Sequence, residues 1–193
     1  MSKIILLNKP YGVICQFSVD PLYPSLKNYI SLAGVYPAGR LDTDSEGLLI
    51  LTNNGKLQNL ISEPKHKKYK TYWVQVEGKP SEDQLNILRL GIDLGDFITS
   101  PAKVMLIEEP VDLWGRVPPI RDRKNIPTSW IELSICEGKN RQVRRMTAKV
   151  GLPTLRLVRV AISGIHLNNL KLELGSWIEI SYLEFIKQFQ KIK

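Results

Sequence analysis

The sequence predicts an α+β fold. Three observations lead there: short apolar or alternating stretches of strand character, amphipathic stretches of helical period among them, and no regular strand–helix alternation of the kind a doubly wound sheet requires. With 193 residues, 43% of them hydrophobic and 24% charged, the chain can bury a core without a disulfide or metal staple. Cys15 and Cys136 are isolated, with no CxxC pair and no clustered histidine, which excludes a disulfide framework and a zinc site and fits a reducing compartment. The longest apolar runs, such as 4–7, fall far short of the roughly 20 residues of a membrane span. Asn8-Lys9-Pro10 ends that run too early for a signal peptide, so a soluble, cytoplasmic protein is expected.

Residues 3–7 and 12–17 read as short strands around a Lys9-Pro10-Tyr11-Gly12 turn. Residues 25–32 form a short amphipathic helix closed by Gly34. Residues 48–52 are a continuous apolar strand ended by Asn53-Asn54-Gly55, and 56–62 return as a helical turn stopped by Pro64. Residues 71–76 alternate as a strand. Ser81-Glu82-Asp83-Gln84 has the pattern of a capping box, opening a helix that Gly91 closes. Strands follow over 102–107 and 130–136, then a helix with Asn140 as its N-cap, ending at Gly151. A strand over 154–160, a short strand pair near 170–180 and an amphipathic helix over 182–191 complete the chain. The irregular stretch 108–128 holds four of the twelve prolines, and loops of that length are usually functional or disordered.

Charge is unevenly spread. The net charge is +8, and two windows account for it: residues 61–72 hold four lysines against one acid, residues 115–145 eight basic residues against three acids. A localised excess suits a polyanion-binding surface, because phosphate contacts supply most non-specific nucleic-acid affinity. A merely basic surface gives the same totals, and charge alone does not separate the two.

Three clusters can carry chemistry. In Gly39-Arg40-Leu41-Asp42-Thr43-Asp44-Ser45-Glu46-Gly47, two glycines bracket a polar loop placed directly before the apolar strand 48–52. A carboxylate at the edge of a rigid element can act as nucleophile or base; the same residues also suit a surface turn whose acids cap local amides. Asp42-x-Asp44 resembles the start of a calcium loop, but Glu46 and Gly47 do not continue it, and no metal is assigned. In Glu137-Gly138-Lys139-Asn140-Arg141-Gln142-Val143-Arg144-Arg145-Met146, a turn of about 100° per residue puts Val143, Met146 and Val150 on one face. Arg141, Arg145 and Lys149 share the opposite face and Arg144 the shoulder, from which it can point into a cleft; a solvated basic helix face is the alternative. In 65–73, lysines interleave with Tyr69, Tyr72 and Trp73, a pattern suited to single-stranded nucleic acid, although Tyr72 and Trp73 also read as plain strand residues. His66 has only His166 for company and is assigned no chemistry.

LLNKPYG, GRLDTDSEGLLILTNNG, KTYWVQVEG and EGKNRQVRRMTAKVGLPTLRLVRVAISGIHL, in this order over residues 4 to about 180, together resemble the RsuA-type family of RNA pseudouridine synthases. The resemblance implies a pseudouridine synthase fold: α+β, a mixed, mostly antiparallel sheet with flanking helices and a central RNA-binding cleft. It implies one catalytic domain over 1–193, with two lobes around the cleft. Many members begin with a small S4-type RNA-binding domain; this chain has no room for one, which leaves the catalytic domain to bind RNA itself. The stretch IRDRKNIPTSWIEL is similar to members that act on the large ribosomal subunit, so 23S ribosomal RNA is the expected partner and a monomer the expected state.

By the same resemblance Asp42 is the catalytic aspartate, Tyr72 stacks on the target base, Arg144 pairs with the aspartate, and Leu157 packs the pocket. Arg40 would hold the phosphodiester or fill the space left by the flipped nucleotide. The charge windows add Lys65, Lys67, Lys68, Arg141 and Arg145 as candidate phosphate contacts flanking the cleft. The reaction moves uracil's bond to ribose from N1 to C5. Nothing is oxidised or reduced and no outside group enters, so no cofactor and no metal are expected. The carboxylate can attack uracil C6 or ribose C1′, or act as a base at C2′; an adjacent guanidinium favours the ionised form that each role needs. The tyrosine ring offers a flat surface for an unstacked base, and its hydroxyl can relay the C5 proton. A catalytically silent RNA-binding or ribosome-assembly protein is the rival reading, which would not require Asp42, Tyr72 and Arg144 together. Sequence-specific DNA binding by 141–150 lacks helix-turn-helix spacing and a dimerisation element.

Overall fold

In chain order the elements are β1 (Ile4–Lys9), β2 (Tyr36–Pro37), β3 (Glu46–Thr52), α1 (Gly55–Ser62), β4 (Lys70–Glu77), α2 (Glu82–Leu90), β5 (Lys103–Ile107) and β6 (Thr128–Ile135). Then come α3 (Gln142–Lys149), β7 (Thr154–Ile162), β8 (Ile165–His166), α4 (Leu167–Leu170), β9 (Trp177–Glu179) and α5 (Tyr182–Phe189). The computed structural model describes residues 2–120 and 126–190. The mixture of strands and helices without regular alternation is the expected α+β arrangement. The chain divides into two compact units, Met1–Lys68 with Val158–Lys193, and Tyr69–Leu157, so the second boundary falls inside β7.

In the first unit β1 and β3 pair antiparallel along their length, from Ile4 opposite Thr52 to Lys9 opposite Gly47. β9 joins the other edge of β1 antiparallel. β2 pairs with one end of β3, and β7 pairs parallel with the other, Gly47 standing opposite Arg159. Every residue of β1 and β3 is buried, which is why both read as continuous runs and not as alternating ones. Ile5, Leu7, Leu49 and Leu51 pack with Val13, Leu26, Ile30 and Val35 in one core cluster. Gly47 has a φ of +99°, and a Cβ there would lie 2.3 Å from the carbonyl oxygen of Arg159, so only glycine permits this approach.

In the second unit β4 and β6 pair antiparallel from Lys70 opposite Ile135 to Glu77 opposite Thr128, and β5 joins the other edge of β6 antiparallel. β4 alternates: Lys70, Tyr72, Val74 and Val76 are buried, the residues between them partly exposed. The capping box of α2 is present, with the Gln84 N–H donating to Ser81 Oγ at 3.2 Å and the Ser81 N–H to Gln84 Oε1 at 2.9 Å. Gly91 closes α2 at a φ of +97°. Among pairings of the named strands within each unit, and among the described residues, only β3 with β7 is parallel, in keeping with a mixed, mostly antiparallel sheet.

Four local expectations need correction. Residues 12–17 make no strand beyond a single bridge, Ile14 with Ser25; the Ile14 N–H donates to Pro24 O and the Leu26 N–H to Gln16 O, which closes 16–25 into a loop of its own. The helix over 25–32 shrinks to one 3₁₀ turn, Leu26–Asn28, with Asn28 Oδ1 accepting from the Ser25 N–H as in a capping box. Arg141, not Asn140, occupies the cap of α3: Gln142 Oε1 accepts from the Lys139 N–H and Gln142 Nε2 donates to Glu137, so the turn is held without a capping side chain. Near 170–180 only β9 forms, α4 taking up the preceding residues. Residues 121–125 of the proline-bearing stretch and of the second basic window, and residue 191 of the last expected helix, lie outside the described residues.

Gly47→Ala should lower the unfolding free energy by about 3 kcal/mol, since left-handed strain and a backbone clash act together. Urea unfolding followed by tryptophan fluorescence checks this; an unchanged midpoint would show that β3 and β7 separate without cost.

Candidate active site

Asp42 sits in the loop that feeds β3, and the backbone of this loop is held at successive peptides. The carbonyl of Arg40 accepts from Arg159 Nη1 at 3.4 Å. The Leu41 N–H donates to Cys15 Sγ at 3.4 Å. The carbonyl of Asp42 accepts from the Ser45 N–H at 3.1 Å, and that of Thr43 from the Gly12 N–H at 2.8 Å. Past the loop, Arg159 Nε donates to Leu48 O at 2.8 Å. Leu41, Ser45 and Glu46 are buried, whereas Asp42, Thr43 and Asp44 keep partial access to solvent and Arg40 is exposed. The reactive candidate thus stands on a fixed backbone with its side chain at the edge of the interior.

The Gly12 contact depends on Lys9. This fully buried lysine ends β1, and its Nζ donates to Val13 O at 2.7 Å and Pro10 O at 2.9 Å, folding the Lys9-Pro10-Tyr11-Gly12 turn onto itself. Burial pushes the Lys9 pKa from 10.5 down to about 8; Cys15 and Glu46 oppose the fall, Arg159 adds to it, and Asp44 opposes it. The sequence gives Lys9, Gly12 and Cys15 no part in the site, and Arg159 none either. The available signal was a cation inside an apolar strand, at Lys9 in IILLNKP and at Arg159 in LRLVRVAI.

The first basic window adjoins this loop through α1. Gln58 Nε2 donates to Pro37 O at 3.0 Å, and a Cβ on Gly39 would lie 3.9 Å from Ser62 Cβ. After α1 the chain makes a 3₁₀ turn, Pro64–His66, and Lys67 takes a left-handed φ of 48°. Lys65 and Lys67 are exposed. Lys68 is half-buried, its ammonium 5.2 Å from the ring centre of Phe189 in α5. His66 Nε2 and Asn59 Oδ1 lie 3.0 Å apart, a local tether.

The remaining candidates belong to the second unit. Tyr72 is buried on β4 opposite Leu133, while Trp73, on the other face, donates from Nε1 to Glu132 Oε2 at 3.2 Å. Arg144 on α3 is half-buried, with Nη1 3.4 Å from Thr154 O at the start of β7, the strand that also carries the buried Leu157. Arg141 is exposed in a left-handed conformation. Arg145 is already engaged: its guanidinium donates to both carboxylate oxygens of Asp96 and, at 3.1 Å, to Leu94 O, and it lies 5.3 Å from the ring centre of Phe97. That hydrogen bonding holds the Asp96 carboxyl below the usual range and raises Arg145. The structure therefore brings Arg40 and Asp42 together in one loop with Lys65, Lys67 and Lys68 following the adjoining helix, and it keeps Tyr72, Arg141, Arg144, Arg145 and Leu157 in the other unit. Among the described residues no group of three or more His, Cys, Asp or Glu could hold a metal ion, and no helix is long and apolar enough to cross a membrane.

Comparison with known proteins identifies the family. The family model described as RNA pseudouridylate synthase matches residues 3–149. Ribosomal large subunit pseudouridine synthase E of Vibrio vulnificus is 53% identical over 93% of this chain and 75% of its own length. The protein of the same name from Xanthomonas axonopodis pv. citri is 54% identical over 86% of this chain and 89% of its own. A crystal structure of a pseudouridylate synthase superposes with a TM-score of 0.78 at 29% identity, covering 98% of this chain and 74% of the other. The chain belongs to the RNA pseudouridylate synthase family, as its motifs implied, and its α+β fold is that of a pseudouridine synthase. It is an enzyme of the isomerase class that makes pseudouridine from uridine in RNA.

The buried Lys9 gives a pH test. Its folded pKa, about 8, lies below the ordinary 10.5, so between those values the unfolded chain binds more protons and stability rises with pH. Relative to Lys9→Met, the wild type should gain about 1 kcal/mol of unfolding free energy per pH unit between roughly pH 8 and 10. Urea unfolding at several pH values measures it; a difference independent of pH would mean that Lys9 titrates alike in both states.

Proposed function

We propose that this protein converts a specific uridine of 23S ribosomal RNA to pseudouridine, acting as a monomer in the cytoplasm, with Asp42 as its catalytic carboxylate and without a cofactor. The observation that carries the reading is the Asp42 loop itself. Its backbone is fastened at four successive residues while the aspartate stays accessible, the geometry a reacting group needs and a silent RNA-binding protein does not. The names of the two relatives supply the large ribosomal subunit as the source of RNA.

In this reading residues 1–193 work as one catalytic domain. Asp42 bonds to C6 or C1′, or removes the C2′ proton, and the N1–C1′ bond breaks; the base turns and C5 bonds to C1′, with the Asp42 bond released or the proton returned to C2′, after which C5 loses its proton and N1 gains one. Arg144 acts as the arginine that the resemblance assigns to the catalytic aspartate. Tyr72 stacks on the extruded base and relays the C5 proton through its hydroxyl. Leu157 packs the base, and Arg40, exposed beside Asp42, holds the phosphodiester or fills the space the nucleotide leaves. Lys65, Lys67 and Arg141, all exposed, meet phosphates directly. Arg145 does so by exchanging its exposed ion pair with Asp96, and Lys68 from beside the Phe189 ring.

Asp42→Ala should abolish isomerisation and leave RNA affinity nearly unchanged, because removing a negative charge does not weaken a polyanion site. Pseudouridine formation in 23S transcripts, with binding measured in parallel, tests this; turnover by the pure variant would sink the assignment. Replacing Lys65 and Lys67 together by Gln should weaken binding to every single-stranded RNA and flatten the slope of log K against log salt by about 1.4, roughly 0.7 per lost contact. Titrations at several salt concentrations measure it, and an unchanged slope would remove this turn from the RNA surface.

A further inference from the structure

Arg159 lies in β7 with only 3% of its surface exposed. Its Nε donates to Leu48 O at 2.8 Å and its Nη1 to Arg40 O at 3.4 Å. These carbonyls stand at the two ends of the loop 39–47, each one residue past a bracketing glycine, so a single guanidinium ties both ends. The backbone of the same residue lies against Gly47, where no Cβ fits.

We propose that Arg159 is a positioning residue for the isomerisation, setting where the Asp42 carboxylate stands by holding the Arg40 and Leu48 carbonyls together. The inference rests on the reading of Asp42 given above. Stability does not account for an arginine here. Taking a guanidinium out of water is costly, and an apolar side chain of similar volume often serves a buried site as well or better. The geometry does account for it, because two acceptors reached through Nε and Nη1 suit a planar fork, whereas lysine offers one point charge. The consequence for rate follows from the demands of the reaction, since a misplacement of about 1 Å at a reacting group can cost on the order of 10²-fold.

The test is steady-state kinetics on the RNA substrate for wild type, Arg159→Lys, Arg159→Met and Asp42→Ala, with thermal unfolding of each. Arg159→Lys should stay folded, keep KM within roughly twofold, and lose on the order of 10²-fold in kcat; Arg159→Met should lose at least as much. An arginine needed only for folding predicts a lower Tm with wild-type kcat per folded molecule, or equal losses in KM and kcat. Either result, with Asp42→Ala inactive, overturns the inference alone. Turnover by Asp42→Ala overturns the reading beneath it and the inference as well. If Arg159→Met does not fold, Arg159→Lys decides.

Discussion

At Gly47 the backbones of β3 and β7 come so close that a side chain there would lie 2.3 Å from the Arg159 carbonyl oxygen. Around this contact the first unit is organised. The glycine lets the parallel pair form, the pair places Arg159 by the loop 39–47, and the guanidinium holds the Arg40 and Leu48 carbonyls. On the other side of β3, Lys9 stands opposite the same glycine and folds the turn whose Gly12 N–H holds Thr43. A polar, acidic loop is thereby moored to two wholly buried strands. The cost of burying two cations is met by backbone carbonyls and by the acidic neighbours that raise Lys9.

Much of this was legible in the residues. The apolar run 48–52, the capping box at Ser81 and the alternation of β4 each depend on local pattern, and each formed. Asp42 stood out because its neighbours in sequence, two glycines and a core strand, are also its frame in space. What could not be read were the contacts that immobilise it. Arg159 reaches carbonyls 111 and 119 residues away, and no periodicity signals such a pairing. The strand expected at 12–17 failed for a related reason: Pro24 and Gln16 carbonyls close that segment into a loop before a sheet partner can take it.

The basic residues divide by what they touch. Lys65 and Lys67 are exposed, whereas Arg145 is folded back on Asp96 and Phe97, and Lys68 onto Phe189. Exposed ion pairs of the Arg145 kind contribute little to stability, so a phosphate can compete for the guanidinium at small cost. Charge counting along the chain does not show which cations already have partners; the fold shows it for Arg145 and Lys68.

The account stands or falls on Asp42 acting in this fold on ribosomal RNA. The most direct measurement maps pseudouridines in 23S ribosomal RNA from cells that have the protein, cells that lack it, and cells that carry only Asp42→Ala. The account predicts that one position reverts to uridine when the protein is absent, is restored by the wild type, and stays uridine with Asp42→Ala. An unchanged map in its absence, or restoration by Asp42→Ala, would contradict it.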